Sequence, residues 1–377
     1  MAKRRGNNEG TIRKREDGRW EAMFVLPDGI RKSFYGKTRQ DVQLKLRQAQ
    51  KDVDAGLPIV EEKQTVAQYL DSWLETVKHQ LRATSYRRYS DHVRLRLIPY
   101  IGKIPLAKLT PQQVQKVYSV LLTKGVSPTT VEQLHVVLHK ALKDAMRLGL
   151  VQRNITDVVN SPHARLFEIH PYSEEKVRLF LQTAQGDRFE ALFTMAVATG
   201  MRLGELLALR WEDVDFERAY LFVRATLQRD GNMFVLSEPK TARSRRNIAL
   251  PETVLDALHA HQQRQVEEHE QLGEAWENTL NLVFPNSIGK PMKPSNLTQL
   301  FFARILRKAG LPRIRFHDLR HSAATLLLGR GVHPKVVSEM LGHSQISITL
   351  DVYSHVTPHM QQSAAAAMDA VLKDKEG

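Results

Sequence analysis

The first third of the chain changes its hydrophobic period three times. Over residues 10–35 apolar positions recur at every second residue. Trp20, Ala22, Phe24 and Leu26 alternate with Glu21, Met23 and Val25, the period of a strand. Asp17-Gly18 and Asp28-Gly29 flank that segment as tight-turn dipeptides, so a three-stranded meander is predicted. From Thr38 to Ala55 the spacing lengthens. Val42, Leu46, Ala49 and Val53 share one helical face, and Gly56 lies just past its end. Residues Leu57 to Lys63 read as a linker.

Residues 64–160 keep helical spacing throughout. Val66, Tyr69, Leu70, Trp73, Leu74 and Val77 make one apolar stripe, and a second helix is predicted over Ser85 to Ile98. Thr110-Pro111 is a capping residue followed by proline at the first helical position. Ser127-Pro128 repeats the device, starting a helix that runs to Leu148 and stops at Gly149. A polar stretch at 161–172 reads as a second linker. Beyond it the pattern is mixed. Helices are predicted at 174–185, 188–199, 202–209, 252–270, 295–309, 316–329, 334–341 and 346–355. Strand patterns occupy 219–225 and 233–237, followed by a basic turn at 240–246. Met360, Ala364, Ala367 and Val371 give a tail helix over Pro358 to Lys373. The predicted fold class is multidomain, mainly α with small β elements. It comprises a three-stranded sheet plus helix (1–57), a helical domain (64–160) and a mixed α+β domain with a C-terminal tail helix (170–377).

Composition changes this picture in two respects. With no cysteine among 377 residues, a disulfide framework, a thiolate metal site and a cysteine nucleophile are excluded. No apolar run reaches the ~18 residues of a membrane span, and the basic N-terminus lacks the apolar stretch of a secretory signal. A cytoplasmic protein is expected. The formal net charge is +14, and it is unevenly placed: +6 in residues 1–60, +7 in 61–170 and +1 in 171–377. A basic excess confined to the first 170 residues favours a polyanionic partner, nucleic acid above all. Arg13, Lys14 and Arg19 on the sheet, and Arg87 and Arg88 on the helices, are candidate DNA contacts.

The nearly neutral last part carries the candidate chemistry. Arg202 lies in ATGMRLGEL, His317 and Arg320 in FHDLRHS, His343 in LGHS, and Tyr353 in DVYSH. Each residue taken alone has an ordinary structural reading. Together, two guanidiniums, two imidazoles and a phenol suit a phosphodiester under attack by tyrosine. Arginine presents a planar, permanently charged fork to phosphate oxygens. A tyrosine, with a pKa of about 10, needs a base or strong positive charge beside it to become a nucleophile. HDLRH superficially resembles a zinc motif, but Asp318 stands where a glutamate would, and no further ligand is evident. No metal is assigned.

Taken in order, Arg202, Lys240, His317-x-x-Arg320, His343 and Tyr353 resemble the tyrosine recombinase (phage integrase) family. TGMRLGEL, PKT in a basic hairpin, HDLRHS, LGHS and a tyrosine ten residues after the last His occur in the family's order. The resemblance implies that 64–160 is a helical core-binding domain, that 1–57 is an arm-type DNA-binding domain, and that 170–377 is the catalytic domain. It implies strand transfer through a 3′-phosphotyrosyl intermediate without metal or ATP, and no cofactor.

Under that resemblance Arg202 and Arg320 clamp the non-bridging oxygens, His343 donates to them, His317 is the general base and Tyr353 the nucleophile. Lys240 is the expected general acid. Glu205 orients the site, and Arg243 and Arg245 of the basic turn contact DNA. The implied partners are double-stranded DNA at core and arm sites and a homotetramer, with an excisionase and a host DNA-bending protein as further candidates. The location is the cytoplasm of a bacterial host, at the nucleoid. The expected role is integration and excision of a phage or conjugative transposon. A chromosome or plasmid dimer resolvase and a catalytically inactive DNA-binding regulator are the alternatives.

Overall fold

The computed structural model describes residues 10–26, 29–54, 64–162, 170–230, 233–238, 245–343 and 345–352, with isolated positions at 365, 366, 368, 369 and 372. The chain forms two compact units, Met1–Leu166 and Phe167–Gly377. The linker at 57–63, most of the linker at 161–172, the turn around Lys240 and most of the predicted tail helix lie outside the described residues.

In the first unit, β1 (Thr11–Lys14), β2 (Trp20–Val25) and β3 (Arg31–Gly36) form an antiparallel sheet in sequence order. One face buries Ala22 and Phe24 against Val42 and Leu46 of α1 (Arg39–Asp54). The other centres on Glu21, which is buried and accepts a 2.8 Å hydrogen bond from Arg13 Nε. The helical part comprises α2 (Val66–Lys78), α3 (Ala83–Asp91), α4 (Ile98–Ile101), α5 (Pro111–Thr123) and α6 (Pro128–Arg147). Capping boxes start α2 (Thr65 with Gln68) and α5 (Thr110 with Gln113), and the Ser127 side chain caps α6. The stripe from Val66 to Val77 is buried as its spacing requires. Trp73 reaches across to α6, where its indole N–H donates to Asp144 at 2.9 Å. The helix expected at 85–98 is longer. It runs from Ala83 to Ile101, and residues His92–Leu97 between α3 and α4 are wound as a π-helix.

The second unit opens with α7 (Glu174–Ala184), α8 (Glu190–Thr199) and α9 (Leu203–Leu206). Next come β4 (Val214–Asp215), β5 (Tyr220–Val223), β6 (Thr226–Asp230), β7 (Met233–Ser237) and β8 (Arg246–Ala249). Strands β4, β5 and β8 form one antiparallel sheet, and β6 pairs with β7 as a hairpin. Helices α10 (Glu252–Leu272), α11 (Pro294–Asn296), α12 (Ala303–Lys308), α13 (Phe316–Gly329), α14 (Pro334–Leu341) and α15 (Ile346–Val352) complete it. The core is an aromatic cluster in which Phe180 meets Phe193 and Phe302, and Phe302 meets Phe316, edge to face or tilted.

Two expectations shift here. The segment 219–225 is not one strand: Ala219 has φ of +55°, which places it in the turn, and the chain breaks after Val223 to start β6. The helix expected at 202–209 is reduced to Leu203–Leu206. There Gly204 lies so close to β6 that an added Cβ would stand 2.6 Å from Thr226 Oγ1.

Candidate active site

The TGMRLGEL segment folds as a cap, a turn and a short helix. Thr199 is fully buried and donates its hydroxyl to Met195 O at 2.6 Å, closing α8. Gly200 ends that helix with φ of +60°, the left-handed conformation glycine adopts without penalty. A Cβ at Gly200 would stand 2.3 Å from Leu341 Cδ2, so glycine also lets the end of α8 meet the end of α14. Arg202 then adopts an extended backbone as the residue preceding α9. Its N–H and its Nη1 both donate to Glu205, at 3.0 and 2.7 Å, and Nη2 donates to Gly342 O at 3.2 Å. The guanidinium is held from behind while its side chain stays 39% exposed, available to a ligand.

Helix α13 supplies the next group. Arg315 and Asp318 form its N-terminal box, with Arg315 N–H donating to Asp318 at 2.8 Å. Asp318 is thereby committed to the helix start. His317 is solvent-exposed, and its ring meets His321 edge to face with centroids 5.0 Å apart. Arg320, one turn on from Phe316, is 3% exposed and donates from Nη1 to Gly200 O at 2.8 Å. The carbonyl of the turn residue before Arg202 therefore fixes the second arginine.

Helix α14 ends at Gly342, with φ of +68°. This turn presents the Gly342 carbonyl to Arg202 and the His343 side chain to the same neighbourhood. His343 Nδ1 lies 2.8 Å from Thr349 Oγ1, a hydroxyl buried in α15. The chain thus returns to His343 through α15.

One organising residue was read differently in the sequence. Arg246 belongs to the basic turn that was expected to meet DNA, yet its side chain is only 6% exposed. It donates from Nη2 to Glu205 at 2.9 Å and from Nε to Met340 O at 2.5 Å. It also packs so closely on Gly342 that a Cβ there would stand 3.0 Å from its Nη1. A signal was present: Ile248 and Leu250 point inward, and alternation along a strand puts Arg246 on their face. Glu205 is the hub, buried between Arg202 and Arg246. Burial raises its carboxyl pKa, but the Arg246 hydrogen bond and charge, with Arg202, outweigh this and hold it below the usual glutamate value.

The imidazoles respond to the same cations. Although His317 keeps an exposed ring edge, desolvation by the atoms packed around it, followed by the charges of His321, Arg320 and Arg202, pushes it down to about 4. Burial, followed by Arg320 and Arg202, brings His343 to about 4. Both are therefore neutral at pH 7 with the site empty of anion.

Of the residues anticipated for catalysis, Arg202, Glu205, His317, Arg320 and His343 are brought together. Lys240 and Tyr353 lie outside the described residues, as does Arg243. Arg245 is exposed and paired with Glu238 at 2.7 Å. On the sheet, Arg13 pairs with Glu21, Arg19 with Asp17, and Lys14 is exposed. Arg87 and Arg88 are exposed on α3.

The profile described as "Phage integrase family" matches residues 172–360, and "Phage integrase, N-terminal SAM-like domain" matches 65–122. A "Tyrosine recombinase XerC-like" protein of Caldanaerobacter subterraneus subsp. tengcongensis is 32% identical, over 90% of this chain and 92% of its own length. The ICEBs1 integrase of Bacillus subtilis is 27% identical, covering 72% of this chain and 74% of its own. Among solved structures, the Tn1549 transposon integrase in complex with a circular intermediate DNA shares the fold with a TM-score of 0.68. That match has 23% identity over 82% of this chain and 99% of the other. The lambda integrase tetramer bound to a Holliday junction matches with a TM-score of 0.58 at 16% identity, over 93% and 96% of the two chains.

Proposed function

The chain belongs to the phage integrase family of tyrosine recombinases, and from that premise we propose how its residues carry out strand transfer. It is an enzyme of DNA recombination, of the kind borne by prophages and conjugative transposons. Its substrate is double-stranded DNA. It cuts and rejoins the strands through a 3′-phosphotyrosyl link, freeing a 5′-hydroxyl.

In this reading Tyr353 attacks the phosphorus. Arg202 and Arg320 bind the non-bridging oxygens, whose charge grows in the pentacoordinate transition state; preorganised donors act most strongly at that point. The observation that carries the assignment is the mutual bracing of these arginines. Arg320 is held by the carbonyl of Gly200, and Arg202 by Glu205 and the carbonyl of Gly342. Neither guanidinium needs to reorganise as the reaction proceeds. With its proton on Nε2, His343 accepts at Nδ1 from the Thr349 hydroxyl, 2.8 Å away, and Nε2 is the donor to phosphate. His317, neutral at pH 7, accepts the tyrosine proton, and Lys240 protonates the departing 5′-oxygen. The covalent link keeps the energy of the broken bond, so rejoining needs no ATP.

Residues 1–57 serve as an arm-site module, 64–160 as the core-binding domain and 170–377 as the catalytic domain. Arg13, Lys14, Arg19, Arg87, Arg88, Arg243 and Arg245 contribute to the grip on DNA. Four protomers assemble on two sites, with an excisionase and a host bending protein directing the outcome. Incubation with a nicked duplex carrying the element's attachment core tests the chemistry. A covalent protein–DNA adduct should accumulate, and Tyr353→Phe should abolish it while leaving binding intact. Absence of an adduct on a correct site would sink the strand-transfer reading. Deleting residues 1–60 separates an arm-dependent integrase, which then fails to recombine, from a dimer resolvase, which does not.

A further inference from the structure

The motif HDLRH carries a second imidazole that the mechanism leaves unused. His321 lies one turn after His317 on α13, so the two side chains share a face of the helix. Their rings meet edge to face, with centroids 5.0 Å apart and planes at 86°. His317 is exposed and His321 half-buried. Strand transfer needs His317 without a proton, because only then can it accept one from the tyrosine. It makes no such demand on His343, whose Nε2–H donates to phosphate in the neutral ring and in the charged one.

The groups around the three imidazoles divide them. His317 feels the charges of His321, Arg320 and Arg202, with Asp318 opposing them. His343 feels Arg320, Arg202, His321 and Arg246. Burial lowers the pKa of His321 as well, but there Asp318 comes next and favours the charged ring, ahead of the opposing Arg320 and Arg315. Asp318 is itself buried and fixed, accepting 2.8 Å hydrogen bonds from the N–H and Nη2 of Arg315. The attraction is mutual, since the charge of His321 helps to keep Asp318 ionised. His321 thus answers to a fixed carboxylate, whereas His317 and His343 answer to the two arginines assigned to phosphate. A proton entering this cluster settles first on His321, and its charge then repels a second proton from the ring of His317. A phosphodiester sharpens the need. Its negative charge favours the protonated form of every imidazole near it, at the moment when His317 must stay free.

We propose that His321 is a positioning residue for strand transfer: it braces the ring of His317 and takes up the proton that would otherwise disable His317 as a base. The assignment rests on the recombinase reading of this site. It adds to that reading a residue that acts through its neighbour.

Two measurements on the full chain test it. The first follows the Cε1–H resonances of 13C-labelled histidines in the DNA-free protein from pH 8 to 5, with His317→Gln and His321→Gln to assign the two rings. His321 should titrate at higher pH than His317. In His321→Phe, which keeps a ring against His317 but carries no charge, the His317 titration should move to higher pH. The second is the rate of adduct formation on the nicked core duplex at pH 8 and at pH 5.5. His321→Gln and His321→Phe should each raise the ratio of the two rates severalfold over the parental chain. The ratio discriminates, because a purely structural loss lowers both rates alike. Circular dichroism confirms that each variant is folded at both pH values. A His317 ring that titrates before His321, or one whose titration is unmoved in His321→Phe, would overturn the proposal. So would an unchanged rate ratio. A parental chain that forms no adduct at any pH would refute the strand-transfer reading instead, and the order of protonation would still be decided by the resonances.

Discussion

Arginines are used in opposite ways in the two halves of this chain. In the catalytic unit the inward-facing ones are anchored. Arg246 is tied to Glu205 and Met340 O, Arg320 to Gly200 O, and Arg202 to Glu205 and Gly342 O. In the helical domain Arg87, Arg88 and Arg96 have no ion partner among the described residues. The first arrangement supplies a few fixed donors in a segment, 171–377, of net charge +1. The second leaves positive potential for a polyanion within a segment of +7. Chemistry needs donors that do not move, whereas non-specific grip needs charge that its own protein has not already neutralised.

Arg246 is the place to break the first arrangement, and the largest effect is expected there. Arg246→Ala leaves Glu205 buried with half its neutralising charge. Removing one member of a buried pair costs about 3–5 kcal/mol. The unfolding transition of the catalytic unit should fall accordingly in urea, with Arg246→Lys in between, since lysine restores the charge but not the fork. A loss under ~1 kcal/mol would mean that Glu205 is not held from behind as described.

Acid gives the next effect. His261 is buried, its Nε2–H donates to Val283 O at 2.7 Å, and burial brings its pKa to about 4. The folded value is below the unfolded one, so its contribution is fully present above about pH 6.5 and is lost as pH falls toward 4. That loss is on the order of 3 kcal/mol for His261. His317 and His343 titrate over the same window in the same direction. They differ in one way: phosphate beside them raises their pKa values. Melts from pH 7 to 4.5 should therefore show acid destabilisation that bound DNA reduces in the parent. His261→Asn should remove the part that DNA leaves untouched. An identical pH profile with and without DNA would place the phosphate elsewhere.

Gly200 comes third. Gly200→Ala forces a side chain into the left-handed region and places its Cβ 2.3 Å from Leu341 Cδ2. Strain of this kind costs about 1–3 kcal/mol. Because the Gly200 carbonyl holds Arg320, adduct formation should slow more than stability alone predicts. A rate that merely tracks the folded fraction would show that the carbonyl contact is dispensable.

How much of this was legible in the sequence differs by element. Helices α13 and α14 begin and end where their periodicity stops, and the alternation from Trp20 to Leu26 foretells β2. The clustering of Arg202, Arg320, His317 and His343 follows from motif order and resemblance. The bracing did not. That Gly200 and Gly342 offer their carbonyls to arginines far away in sequence depends on how α8, α13 and α14 pack, and local spacing carries no trace of that. Arg246 was assigned to a DNA-facing turn because its neighbours are basic, although Ile248 shares its face. The π-turn at His92 was invisible because it keeps the same apolar positions, Val93 and Leu97, that an α-helix would bury. Strands β6 and β8 are too short and polar for alternation to reveal.

The smallest expected effect sharpens the contrast from the other side. Arg94 has two carboxylates close by, which a count of ion pairs would take for a stabilising feature. Its side chain is 49% exposed, and those of Asp71 and Glu75 are 51% and 60% exposed. Pairs in such surroundings are screened by solvent and salt and contribute about 0–1 kcal/mol. Arg94→Gln should lower the stability of the helical domain by less than ~1 kcal/mol, and adding salt should shrink even that. Its two carboxylate partners set Arg94 apart from Arg88, six residues away on the same helix. Arg94→Gln that destabilises the domain as Arg246→Ala destabilises the catalytic unit would make the exposed pairs structural, and the division between anchored and unneutralised arginines would no longer follow burial.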